Sequence, residues 1–268
     1  MDQALKDMLH GKIGLLSDAP EGVQVQASLQ EMADRPETAL QFLQRYAELI
    51  PSCSIEPAAT YVPSWIRGLV GTVHYLTASG TGSASMRPED WQFVLYKAEE
   101  ASYASIGFIC TSIQAFPSPV KATALDRQKA LEMLYGSLLA PLFRSLAEGA
   151  GVRANELWRL AASNLQYVKS YFLEAAADDA ELYEALSEDF AYVLVDMPGE
   201  VVGERRNPLA IRFTLVDSPY EPGTQIPLRG GCCLAFKTEY AKYCYNCPRL
   251  KPQERSRMYD EICAQKSG

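Results

Sequence analysis

Four of the chain's seven cysteines, Cys232, Cys233, Cys244 and Cys247, fall within sixteen residues of the stretch GGCCLAFKTEYAKYCYNCPRL. Two are adjacent and two form a C-x2-C. Thiolates gathered this closely can hold a metal ion, hold an iron–sulfur cluster or exchange electrons as a dithiol. Zinc takes four thiolates tetrahedrally and C-x2-C is the usual half of such a site, but adjacent cysteines would close a small, strained ring on one ion. A dithiol redox site at Cys244–Cys247 would leave Cys232 and Cys233 without a role. A 2Fe–2S cluster offers two separate irons, so neighbouring thiolates need not chelate the same ion. The plant-type ferredoxin spacing is absent. The two histidines, His10 and His74, are far away in sequence, which argues against a Rieske centre. On spacing alone the order of preference is cluster, zinc, dithiol, and all three stay open.

Compartment and charge narrow the choice. The opening MDQALKDMLHGKIGLL has early acids and no uninterrupted apolar run, so it reads as a poor secretory signal. No run approaches the roughly 18 apolar residues of a membrane helix. The expectation is a cytoplasmic protein with no integral membrane segment, where clustered thiols are metal ligands or redox groups rather than structural disulfides. A net charge of −8 argues against nucleic acid as a partner. That charge is uneven: Arg229 to Arg257 carries seven basic residues against two acidic ones, +5 locally, which leaves −13 on the rest. No G-x-G-x-x-G follows a predicted strand, so no built-in nicotinamide or flavin domain is expected.

The elements that must position the thiols read as α+β. ETALQFLQRYAELI after Pro36 predicts a helix with Leu40, Leu43, Tyr46 and Ile50 along one stripe. LTASGTGSASMRPED predicts a flexible loop, and WQFVLYK and YASIGFICTSI predict strands. DRQKALEMLYGSLLAPLFRSLAEGAG predicts a helix with a kink or break at Pro141 and a stop at Gly149–Gly151. RANELWRLAASNLQYVKSYFLEAA follows, with Leu157, Ala161, Leu165, Val168 and Phe172 on one face, so the pair forms a central helical hairpin packed with antiparallel strands. AELYEALSEDF predicts a third helix, and LAIRFTLVD a half-buried strand with Ile211, Phe213 and Leu215 inward. Residues 1–228 are expected to form the scaffold and 229–268 the C-terminal thiolate segment. Gly230 and Gly231 are expected to let the backbone turn tightly at the site.

The spacing C-C-x10-C-x2-C, with Pro248 directly after the last cysteine, resembles the C-terminal signature of the FhuF-type ferric-siderophore reductases. The stretch ELWRLAASNL, with Trp158 and Asn164, is loosely similar to that family's central helices. The resemblance implies a 2Fe–2S cluster on Cys232, Cys233, Cys244 and Cys247. It further implies a cytoplasmic oxidoreductase that passes one electron to iron(III) in an imported hydroxamate or citrate–hydroxamate siderophore. Hard oxygen ligands hold iron(III) tightly and iron(II) poorly, so reduction releases the metal without destroying the chelator. Reducing power would arrive from an external donor such as a ferredoxin, flavodoxin or reductase.

Within the basic stretch, Lys237, Lys242, Arg249 and Lys251 are candidates for attracting an anionic ferric chelate or an acidic donor, with Lys237, Lys242 and Arg249 the proposed substrate contacts. The alternative is that they offset the cluster's own negative charge. Tyr240, Tyr243 and Tyr245 read as packing around the ligands. Cys53, Cys110 and Cys263 read as incidental thiols and Trp158 as core. Arg205 and Arg206 read as a solvated turn, and Asn164 as a candidate pocket donor. The competing function, from another class, is a non-catalytic zinc-binding interaction module on the same four cysteines.

Overall fold

A computed structural model describes residues 1, 3–239 and 242–266. Helix α1 (Gln3–Lys6) runs into a π-helical turn (Asp7–Ile13), and strand β1 (Val23–Ser28) follows. Ser28 ends the strand and caps α2 (Leu29–Asp34). Its side chain accepts from Glu31 N while the Glu31 carboxylate accepts from Ser28 N, which satisfies two of the helix's free donors. Helix α3 (Pro36–Leu49) buries Ala39, Phe42, Leu43 and Tyr46. The predicted stripe is therefore rotated: Leu40 is exposed, and Phe42 takes the inward position because its ring meets Phe93 edge-on at 4.8 Å.

Helices α4 (Glu56–Tyr61) and α5 (Arg67–Ser79) come next. The predicted flexible loop is largely ordered structure. Leu76–Ser79 complete α5, and β2 (Gly82–Ala84) pairs with a later strand. After it come β3 (Trp91–Tyr96), β4 (Ser105–Cys110) and β5 (Ile113–Ala115), where the sequence places strands. The main sheet is antiparallel in the order β1-β3-β4, with Phe93 opposite both Ala27 and Phe108, and β2 pairs with β5. The sheet packs chiefly on α2, α3 and α5.

Helix α6 (Ala124–Met133) continues through a π-helical stretch (Leu134–Leu139) into α7 (Ala140–Ala150). Pro141 does not break the helix. The widened π turn just before it accommodates the missing N–H and the ring's clash with the preceding turn. Gly151, at φ +65°, stops α7 in the left-handed conformation that other residues adopt at a cost. Helix α8 (Ala154–Ala175) returns as the second arm of the hairpin, with Leu157, Ala161, Leu165, Val168 and Phe172 all buried. Phe143 of α7 and Trp158 of α8 meet at 4.6 Å, so Trp158 is core. Helix α9 (Ala180–Ala191) is the third helix. Its Phe190 stacks on His74 at 4.5 Å, and burial pushes the His74 pKa down to about 3, leaving a neutral core histidine.

The predicted strand LAIRFTLVD shrinks to β6 (Leu215–Asp217), paired with β7 (Gln225–Pro227). Ile211 and Phe213 still pack onto the core, but Leu215 of the same alternation is exposed, and among the described residues no strand lies beside Ile211 or Phe213. Their alternation records burial, not pairing. Among its described residues the cysteine segment holds a 3₁₀ turn (Ala235–Lys237) and a single antiparallel bridge from Thr238 to Ser52 before helix α10 (Pro252–Lys266). The fold is α+β. Among the described residues no helix is long and apolar enough to cross a membrane.

Candidate metal centre

A stretch with so little regular structure has to be held by its neighbours, and three parts of the scaffold hold this one. The first is α8, which carries a second stripe at helical spacing beside its core stripe. Arg159 Nε donates to the Gly230 carbonyl at 2.7 Å, and Gly230 N donates to Ser163 Oγ at 2.7 Å. A Cβ on residue 230 would lie 2.5 Å from the Arg159 carbonyl oxygen, and one on residue 231 would lie 3.2 Å from Leu160 Cγ. Gly230 and Gly231 thus allow the segment to lie directly on the helix. Neither supplies the tight turn expected of them.

The turn falls at Leu234, among the described residues the one non-glycine with positive φ, at +58°. A left-handed backbone directly after two adjacent cysteines redirects the chain there, at a conformational cost that its neighbours must hold in place. The region around α4 does the holding. Thr60 Oγ1 donates to the Cys233 carbonyl at 2.7 Å, across 173 residues of sequence. Cys53 N donates to the Lys237 carbonyl, and Glu239 N to the Pro51 carbonyl, each at 2.9 Å. Lys237 Nζ meets Glu56 Oε1 at 2.5 Å. The third support is α10, whose Arg255 donates to the carbonyls of Tyr245, Cys247 and Leu250.

Cys232 and Cys247 are buried in a small apolar cluster with Leu234 and Leu250, apart from the main core. Their sulfurs lie 3.8 Å apart. Two thiolates on one tetrahedral metal, with bonds of about 2.3 Å, sit roughly 3.8 Å apart as well. Cys233 and Cys244 are half-buried. Among the described residues no three His, Cys, Asp or Glu side chains are gathered tightly enough to hold one metal ion. The described geometry is one close pair of sulfurs, Cys232 and Cys247, with Cys244 hydrogen-bonded to Cys247.

The thiols differ electrostatically. A hydrogen bond from Cys247 lowers the Cys244 pKa against the effect of burial, with help from the Arg229 charge. The Cys232 pKa is raised, first by its hydrogen bond with Cys247 and then by burial. Arg229 is half-buried. Burial disfavours its charge, yet the neighbouring Cys244 and Cys233 hold it more firmly protonated than usual. Tyr61 of α4 stands on the same side, its hydroxyl pKa pushed up to about 12 by burial and by Cys233.

The proposed substrate contacts are placed differently from one another. Lys237 is tied to Glu56, whose pKa is lowered to about 2, first by that hydrogen bond. Arg249 is exposed with its guanidinium over the Phe236 ring at 5.8 Å. Lys242 is exposed. Tyr243 packs against Phe236 at 5.0 Å, and buried Tyr245 donates to the Asp217 carbonyl at 2.7 Å. Tyr240 lies outside the described residues. Cys53 is exposed, Cys110 faces Ser112 and Cys263 faces Pro219 on α10. Arg205 and Arg206 are solvated, as expected.

Sequence reasoning missed Thr60, Tyr61, Arg159, Ser163 and the particular role of Arg229. The α8 residues were detectable, because Arg159, Ser163, Asn164 and Tyr167 recur at helical spacing beside the core stripe. Nothing in the sequence marks Thr60 or Tyr61 as neighbours of residue 233. No model of a known protein family matches the chain, and no curated protein does.

Proposed function

We propose that the chain is a cytoplasmic one-electron reductase of ferric siderophores, with Cys232, Cys233, Cys244 and Cys247 holding a 2Fe–2S cluster. The reading rests on the C-C-x10-C-x2-C pattern, and the 3.8 Å approach of the Cys232 and Cys247 sulfurs supports it. Cys232 and Cys247, at 3.8 Å, would share one iron. Cys233 and Cys244, nearer solvent, would share the other.

Such a cluster supplies a low-potential one-electron reductant, as expected for all-thiolate ligation. The chain's own residues do the rest. The apolar cluster of Leu234 and Leu250 keeps water from the inner pair of sulfurs. Arg229 offsets the negative charge that four thiolates bring, and Thr60 and Arg255 fix the carbonyls of the ligand loops. No nucleophile or general base is needed, because the reaction is electron transfer to a bound chelate.

The test is anaerobic purification followed by metal and sulfide analysis. The expected result is about two irons and two acid-labile sulfides per chain. The dithionite-reduced protein should then reoxidise on a ferric hydroxamate, with iron(II) captured by a ferrous chelator. A colourless protein with one zinc would sink the reading in favour of an interaction module.

A further inference from the structure

Two adjoining cavities run from the cysteine segment along α8. The first, about 210 Å³, lies between α8 and the Pro227–Arg229 strand end, and Arg229 and Asn246 form its wall on the thiol side. Asn246 sits between Cys244 and Cys247 in sequence, and its carbonyl accepts from Arg229 N at 2.9 Å. The second cavity, about 580 Å³, continues toward the N-terminal π turn and includes Trp65, Arg67 and Tyr171. Ser64, Asn164 and Tyr167 line both, so the two form one groove whose one end is walled by Arg229 and Asn246 of the cysteine segment. Its size is that of a small-molecule site.

The lining chemistry is one-sided. Among the described residues the groove has no Asp or Glu in its walls, on a chain of net charge −8. It has an arginine at each end, and among the described residues neither is ion-paired with a carboxylate. Arg67 is braced for display: its Nε donates to the Ile13 carbonyl at 3.1 Å and its guanidinium lies over the Tyr171 ring at 5.7 Å. Between the two arginines, Asn164 Nδ2 is buried with no hydrogen-bond partner, which is costly for a donor unless a ligand completes it. Carboxylate and hydroxamate oxygens are suitable acceptors for both groups.

We propose that this groove, from Arg229 past Asn164 to Arg67, binds the ferric chelate, and that it selects net-negative, carboxylate-bearing chelates over neutral or cationic ones. The identity of the ligand rests on the reductase reading; the charge selectivity rests on the groove. Lys237 is thereby relieved of the substrate role, since Glu56 already occupies it.

The test uses gallium(III), which fills the chelates without being reduced, and the cluster-loaded full chain. The quenching of Trp65 fluorescence reports binding of a net-negative gallium(III) citrate–dihydroxamate and of a neutral gallium(III) trihydroxamate. The anionic complex is expected to bind at least about 10-fold more tightly, with affinity falling as salt is raised. Arg67→Gln should weaken it about 10- to 100-fold while leaving the cluster's visible spectrum unchanged. Asn164→Leu should weaken both complexes. Equal binding of the two complexes, no binding of either, or an Arg67→Gln variant that binds like wild type would overturn the proposal. If wild type still reduced a ferric hydroxamate in that case, the reductase reading would survive. Selective gallium-chelate binding without reduction of any ferric chelate would leave the groove standing and remove the reductase reading.

Discussion

Gly230→Ala tests whether the thiol segment depends on direct contact with α8. The added Cβ would lie 2.5 Å from the Arg159 carbonyl oxygen and 2.8 Å from Ile211 Cδ1, roughly 1 Å inside normal contact. The carbonyl belongs to the body of a 22-residue helix and cannot retreat, so the segment must. Moving residue 230 by about 1 Å stretches both of its 2.7 Å hydrogen bonds, to Arg159 and Ser163, past useful length. Overpacking costs about 1–3 kcal/mol and each lost hydrogen bond about 0.5–1.5 kcal/mol. Because the segment relaxes by breaking those bonds, the terms overlap, and a loss of about 2–4 kcal/mol is expected. At about 2–4 °C per kcal/mol for a chain near this size, the melting temperature should fall by roughly 5–15 °C. If the segment undocks before the scaffold unfolds, the loss should show as faster tryptic cleavage in residues 229–251 and a lower iron content. Gly11→Ala is the control, since a Cβ there meets nothing within 4 Å. A Gly230→Ala protein with unchanged melting temperature, proteolysis and iron content would refute the docking argument.

Four further outcomes are expected, the first from the proposed cluster and the others from burial and ion pairing. Serine at any of Cys232, Cys233, Cys244 or Cys247 should abolish or sharply lower iron content, whereas serine at Cys53, Cys110 or Cys263 should not. In metal-free protein, mass-spectrometric mapping should find Cys53 alkylated first and buried Cys232 and Cys247 last. Arg127 is nearly buried, bonded to Asp189 at 2.8 Å and Glu188 at 2.6 Å, and burial outweighs Arg127 to hold the Asp189 pKa up at about 6. Arg127→Met should therefore cost about 3–5 kcal/mol at pH 8 by denaturant unfolding. Part of that loss should return at pH 5, because protonating Asp189 removes the uncompensated charge; an equal loss at both pH values would contradict this. Glu56 has the opposite sign. Its pKa is lowered from 4.5 to about 2, so the stability it contributes is present above pH 4.5 and lost as pH falls toward 2. Glu56→Gln should flatten the acid limb of the stability curve over that window, measured by urea unfolding.

Much of this protein was legible in its residues. Spacing alone marked out the four thiols as candidates, and the structure brings two of them, Cys232 and Cys247, to 3.8 Å. The apolar period drew α7, α8 and α9, and Gly151 marked the hairpin's turn. The errors share one cause. Alternation at Ile211 and Phe213 correctly reported burial, but pairing needs a neighbouring strand, which local sequence does not encode. Leu40 was displaced by Phe42 because an aromatic partner on the sheet decided which face turned inward. The glycines before the cysteines were recognised as special, but tertiary structure gave them a different task, close approach to α8, and moved the turn to Leu234.

What the sequence by itself determined is the chemistry available: four thiolates, their order and the helices that could carry them. What only the tertiary structure decided is the company they keep. Thr60 reaches the Cys233 carbonyl and Tyr61 feels the Cys233 thiol from far earlier in the chain, and Arg229 joins Arg67 and Asn164 along a groove with no carboxylate among the described residues. The physical reason is that burial is non-directional. Periodicity states that a face is covered, while the covering residues are chosen by how the whole chain packs.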